Sequence, residues 1–285
     1  VSLWAGKSAT LAGGLVRIAG GVSTERTGGG VSVASGEGTG TSSGVVTIRS
    51  ANSGASGVSG SLVFSSGTSL KGNSGNIMIG TGAATTGRGG LVAISAGSGT
   101  SAVGGLVSMW AGKSTTLAGG PVSITGGVST LSTGGGVSVV SGEGTGTSSG
   151  VVTIRSANSG ASGVSGSLVF SSGTALKGNS GAIMIGTGAA TTGRGGLVAI
   201  SAGSGTSAVG GLVSMWAGKS TTLAGGLVSI AGGVSTERTG GGVNVASGEG
   251  TATSSGVVTI RSANSGASGV SGSLVFSSGT SLKGN

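Results

Sequence analysis

The residues that could do chemistry in this chain are few, and their spacing decides what chemistry that would be. Gly6-Lys7-Ser8 and Gly112-Lys113-Ser114 end like a phosphate-binding loop, in which a lysine and a hydroxyl hold a nucleotide's phosphates and their magnesium ion. The first glycine of that motif belongs five residues ahead of Gly112, where Val107 stands, and no helical pattern follows. Gly82-Ala83-Ala84-Thr85-Thr86-Gly87-Arg88 has the spacing but carries Arg for Lys and again lacks the helix. Gly36-Glu37-Gly38-Thr39-Gly40 is too short for a dinucleotide fingerprint. All three read as turn glycines.

The titratable inventory is narrower still. There is no His, Cys or Tyr, and the acidic residues are five Glu with no Asp. An imidazole or thiolate for a metal centre, haem or nucleophile–base pair is therefore missing. Five scattered carboxylates do not make a calcium cage or the acidic cluster of a polysaccharide-cleaving site. The expectation is a protein that is not an enzyme, with no catalytic residue, cofactor or metal.

Fourteen Lys and Arg give a formal charge of +9. They recur thinly, as in Arg49, Arg155 and Arg261, or Lys71, Lys177 and Lys283. Without aromatic platforms for bases, such rows suit solubility or loose attraction to anionic polysaccharide rather than nucleic acid. Many Ser and Thr are candidates for O-linked sugar. No Asn-x-Ser/Thr sequon exists, since Asn52-Ser53-Gly54 and Asn73-Ser74-Gly75 fail at the third position. No apolar run reaches transmembrane length.

Seventy of 285 residues are Gly, 7% are charged and 2% aromatic. Such a composition suggests a flexible linker, but mean hydropathy is +0.42, whereas disordered chains are polar and charged. The apolar residues also keep a fixed beat. Val1 to Lys7 returns as Val107 to Lys113 and Val213 to Lys219, a period of 106 residues. Residues 1–106 and 107–212 differ at ten positions, and 213–285 differs from 1–73 at five. The long units are thus 1–106, 107–212 and a truncated 213–285, and the expectation is a slice of a longer array. Asn285 matches Asn73 and Asn179 inside the repeat.

Within each long unit runs a shorter one. The tripeptides Val16-Arg17-Ile18, Val31-Ser32-Val33, Val46-Thr47-Ile48, Leu62-Val63-Phe64, Ile77-Met78-Ile79, Val92-Ala93-Ile94 and Val107-Ser108-Met109 follow at steps of 15 residues, with one step of 16. A Gly stands two positions ahead of each (Gly14, Gly29, Gly44, Gly60, Gly75, Gly90, Gly105) and another follows soon after. Apolar–variable–apolar alternation is a period of two, the signature of a strand with one covered face, and flanking Gly permits turns with positive φ. The pattern predicts an all-β fold, a parallel β-solenoid (β-helix) of about 19 stacked 15-residue coils. One 16-residue coil, Val45 to Gly60, would form a bulge in each 106-residue unit. A single continuous solenoid over 1–285 would be roughly 90 Å long and advance about 33 Å per long unit.

One coil cannot stand alone. Ordering 15 residues costs roughly 15–30 kcal/mol, while two or three buried Val, Ile or Leu side chains return about 3–9 kcal/mol. The rest would have to come from stacked main-chain hydrogen bonds. A second column, Thr24, Thr39, Thr85, Thr100 and Thr115 with Leu70 in the same register, is expected to point inward; the alternative is an exposed threonine rank for ice.

Alternation also says what faces out. If Val92 and Ile94 are covered, Leu91 is not, and the same rule exposes Trp4, Met78, Leu106, Trp110, Met184, Leu197, Leu212 and Trp216. Soluble monomers seldom present apolar groups so repetitively, so these positions are expected either to make lateral contacts between copies or to be covered by a loop or turned aside from simple alternation.

The pattern Gly90-Leu91-Val92-Ala93-Ile94-Ser95-Ala96-Gly97 resembles the very long Ser/Gly/Thr-rich repeats of predicted secreted proteins in algae and related protists. It is more distantly similar to the β-solenoid shafts of bacterial filamentous adhesins. The resemblance implies an extracellular or cell-surface fibrous role, such as a hair, sheath or adhesive fibre that assembles with itself. An ice-binding β-solenoid is the alternative.

Overall fold

A computed structural model describes residues 2–280. Val1, Lys283 and Asn285, which figure in the repeat, lie outside them. Among the described residues there is no helix and no strand. The expected β-solenoid is therefore not the fold. The repeat nevertheless has a definite local structure, and it is made by glycine.

In four of the seven segments of each complete long unit, a Gly opens a nine-residue loop that the Gly ahead of the next tripeptide closes, whereas the stretches 67–75 and 82–90 have the same length without that bond. The Gly14 amide donates to the Gly6 carbonyl at 2.8 Å, Gly29 to Gly21 at 2.8 Å and Gly44 to Gly36 at 2.9 Å. In later coils Gly105 donates to Gly97, Gly120 to Gly112 and Gly135 to Gly127. Among the described residues, main-chain hydrogen bonds span either eight residues or three, so none links one tripeptide to the next. A solenoid needs the opposite arrangement, with each tripeptide paired to copies 15 residues away. Closing a short loop costs less chain entropy than registering two distant segments, and a tripeptide bounded by Gly offers only a few ladder bonds in return. Its amides and carbonyls are left to water.

The glycines are needed for close approach, not for handedness. None of the described ones has a φ in the left-handed region, which corrects the expectation of positive-φ turns. A Cβ on Gly14 would lie 2.9 Å from the Gly6 amide nitrogen, and one on Gly29 would lie 2.9 Å from that of Gly21. The residue before the opening Gly is held equally close to the closing one. Ala5 faces Gly14, Ser35 faces Gly44, Thr81 faces Gly90 and Ala96 faces Gly105. Only small side chains fit there, and at Thr81 the hydroxyl uses the proximity to donate to the Gly90 carbonyl at 3.2 Å.

The 16-residue coil takes up its extra residue differently. Gly57 donates to Gly54 at 3.2 Å, a turn repeated from Gly163 to Gly160 and from Gly269 to Gly266. A tight turn replaces the expected bulge, because a bulge needs a paired strand to interrupt.

By internal contacts the chain divides into Val1–Val140 and Ser141–Asn285. The first unit carries the loops closed at Gly14, Gly29, Gly44, Gly105, Gly120 and Gly135; the second carries those closed at Gly150, Gly211, Gly226, Gly241 and Gly256. The division cuts the second 106-residue repeat, so sequence period and contact unit do not coincide.

No described residue is buried. The accessible surface is 28064 Å², whereas a chain of this mass folded as one domain or two would show roughly 10,000–13,000 Å² and an extended one about 37,000 Å². The best-covered positions are Gly and Ser, among them Gly20, Gly38, Ser50, Gly126 and Ser141. Packing here is backbone against backbone. Gly126→Ala should test this, since its methyl would collide with the Gly135 carbonyl. Exchange of the Gly135 amide should speed up by about tenfold, the loss of roughly one net hydrogen bond, by NMR hydrogen exchange. Gly136→Ala, which meets nothing within 4 Å, should leave it unchanged.

Candidate functional site

The alternation read from the sequence survives as a gradient of exposure. Val92 is 47% exposed and Ile94 74%, against 85% for Leu91. Val16, Val46, Val107 and Val152, all first residues of tripeptides, are likewise about half covered. The tripeptide thus leans its first side chain toward its own coil, but nothing closes over it.

Each position expected to face outward is exposed: Trp4 at 89%, Trp110 at 87% and Trp216 at 86%, with Met78, Leu91, Leu106, Met184, Leu197 and Leu212 comparable. They occupy three places in the register. Leu91 and Leu106 immediately precede a tripeptide, Met78 is the middle of one, and Trp110 immediately follows one. Leu106 and Trp110 therefore flank the same segment, Val107-Ser108-Met109. Trp4, Met78, Leu91, Leu106 and Trp110 belong to Val1–Val140, and the other four to Ser141–Asn285.

Other apolar positions were not singled out by alternation around these residues alone. Leu15, Val45, Val151 and Leu227 stand just ahead of a tripeptide and are as exposed as Leu91. The doubled Val45-Val46 was the signal for them, because a second apolar residue beside the tripeptide must fall on the opposite parity. Leu11, Val22, Val103 and Leu117 are exposed on the loops themselves. Leu70, expected inside, is fully exposed at 102%. Thr24, Thr39, Thr100 and Thr115 sit on the nine-residue loops, and Leu70 and Thr85 at the same register in the unclosed stretches, all exposed. The shared column of Thr and Leu reflects a loop position without packing constraint, not an inward one.

The Gly6-Lys7-Ser8 and Gly36–Gly40 motifs resolve into these loops, and Gly82–Arg88 lies in the corresponding stretch without the closing bond. In Gly6-Lys7-Ser8 the serine hydroxyl oxygen accepts from the Leu11 amide at 2.9 Å and from Thr10 at 3.4 Å. Ser114 accepts from Leu117 and Thr116 in the same way, as does Ser220 from Leu223 and Thr222. Ser23 caps Arg26, and Ser129 caps Ser132. These are serine turns, in which a short side chain replaces a main-chain acceptor. Where the third residue is Gly instead, as at Gly38 and Gly99, a side chain would collide with a carbonyl further along the loop. Lys7 and Lys113 are thus presented on capped loops.

Among the described residues there is no enclosed pocket and no cluster of acidic groups that could hold a metal ion. No described helix is long and apolar enough to cross a membrane. The chain matches no family model, no curated protein and no solved structure.

The serine caps carry a direct test. Ser114→Ala should raise the exchange rates of the Leu117 and Thr116 amides by a few-fold to about tenfold, from the loss of roughly 0.5–1.5 kcal/mol. Ser114→Thr, which keeps the hydroxyl, should restore the slower rates.

Proposed function

We propose that this chain is a structural protein that associates with copies of itself in an extracellular or cell-surface filament. The carrying observation is the recurrence of exposed apolar side chains at a constant 106-residue interval, as in Trp4, Trp110 and Trp216 at 86–89% exposure. A monomer in water would pay for such a surface everywhere along its length. Association between copies removes it, and identical repeats offer each copy many equivalent registers in which to do so. The extracellular assignment rests on the resemblance to secreted Ser/Gly/Thr-rich repeats.

The mechanism is lateral. Tripeptide segments supply the apolar contacts, and the glycine-closed loops space them without covering them. The ice-binding alternative gains no support, because its threonine rank lies on loops rather than on a flat strand face.

Ultracentrifugal sedimentation and electron microscopy across a concentration series test the proposal. The unmodified chain should pass a concentration threshold above which it sediments as elongated assemblies. Replacing Trp4, Trp110 and Trp216 together by Ser should raise that threshold at least about tenfold, since covering one large apolar side chain contributes roughly 1.5–3 kcal/mol. The Gly135-type loop closures should persist in the variant. An unchanged threshold would overturn the reading.

A further inference from the structure

The charges are distributed in a way that self-association does not use. Five Glu balance five of the fourteen cations and leave a net charge of +9. Most of the cations lie in the glycine-bounded stretches between tripeptides rather than on the tripeptide segments. Lys7, Lys113 and Lys219 each follow the Gly that opens a loop. Lys71 and Lys177 lie midway along the stretches 67–75 and 173–181, and Arg88 and Arg194 near the end of 82–90 and 188–196, which have the same length but no closing main-chain bond. None of these seven has an acidic residue in the same loop, whereas Arg26 and Arg238 each directly follow a Glu. The lone loop cations therefore form a separate, uncompensated set.

Two physical consequences follow. Copies carrying +9 each repel one another when packed side by side, because contact distances fall within the Debye length of about 8 Å at physiological salt. A multivalent anion that lies along the loops would remove that repulsion while leaving the tripeptide segments free to touch. The loop cations are also sparse, and no aromatic shares their loops. All three Trp and all three Phe lie within or beside tripeptides, none on the loops, so bases find no stacking platform next to the charge. A chain of anionic sugars needs no such platform, only cations at intervals it can bend to meet.

We infer that the lone-cation loops bind a linear anionic polysaccharide, which acts as the co-assembling partner of the filament. The inference deepens the structural reading by naming the partner of its loops. The two are separable, because binding can be measured below the concentration at which the chain sediments.

The experiment uses the full chain and immobilised alginate, with neutral dextran, double-stranded DNA and vesicles containing phosphatidylglycerol as the other arms, across a sodium chloride series. Alginate should retain the chain at low salt and release it as salt rises, and soluble alginate should lower the sedimentation threshold. Changing the seven lone loop cations to Gln should weaken retention by about tenfold or more and abolish the effect of alginate on sedimentation. Assembly of that variant alone should be unimpaired or easier. Substituting Arg26 and Arg238 instead should change little. Equal retention on dextran, unchanged retention of the seven-fold variant, or tighter binding to DNA or vesicles than to alginate at the same salt would overturn the inference. A chain that binds alginate through these loops but never sediments would sink the filament reading, and with it the co-assembly role, and leave polysaccharide binding by the loops standing.

Discussion

A glycine amide reaching back eight residues to a glycine carbonyl is the interaction on which the rest of this structure depends. It closes a nine-residue loop at about 2.8–2.9 Å in coil after coil, from Gly14 to Gly256. At Gly14 and Gly29 it depends on the closing residue having no Cβ, since a methyl there would press to 2.9 Å on an amide nitrogen, whereas one on the opening Gly6 or Gly21 would meet nothing within 4 Å. Ordinary residues would force the two ends apart and convert a defined loop into loose chain. High glycine content, which by composition alone suggests a linker, serves here to bring main chain against main chain.

The same interaction explains why nothing is buried. A loop that satisfies itself locally has no need of the coil above or below, so the tripeptides that alternate between loops are left without a covering layer. Their first residues are half covered and their neighbours of opposite parity scarcely at all. An accessible surface of 28064 Å² is more than twice what a globular chain of this mass would show. The hydrophobic term that normally offsets chain entropy is therefore available mainly between molecules. Self-association is the function this imbalance favours.

Charge and hydrophobicity are partly segregated by element. Trp, Met and Phe stay on or beside the tripeptides, and the uncompensated Lys and Arg mostly stay on the loops. Serine caps such as Ser8 and Ser114 stabilise the loops that present Lys7 and Lys113. One chain can then offer an apolar contact to its copies and a cationic one to a different partner without either competing for the same residues.

The 106-residue and 15-residue periods, the alternation within Val92-Ala93-Ile94 and the glycines two places ahead of each tripeptide could all be read from residue order, because they are properties of spacing. Alternation states which side chains share a face; it says nothing of what lies opposite that face. The solenoid expectation supplied the missing layer from the neighbouring coil, and in the folded chain water lies there instead. Likewise the sequence showed glycine at fixed places but not why, and the reason proved to be steric approach rather than left-handed φ. Leu70 and its threonine column were misread because a shared register implies shared geometry, not burial. Sequence alone determined the rhythm and the chemical poverty of this protein, since composition and spacing are local facts. Only the tertiary structure decided that most beats close on themselves, because that choice depends on whether an eight-residue or a fifteen-residue pairing wins, a competition between loop entropy and ladder energy that no single repeat records.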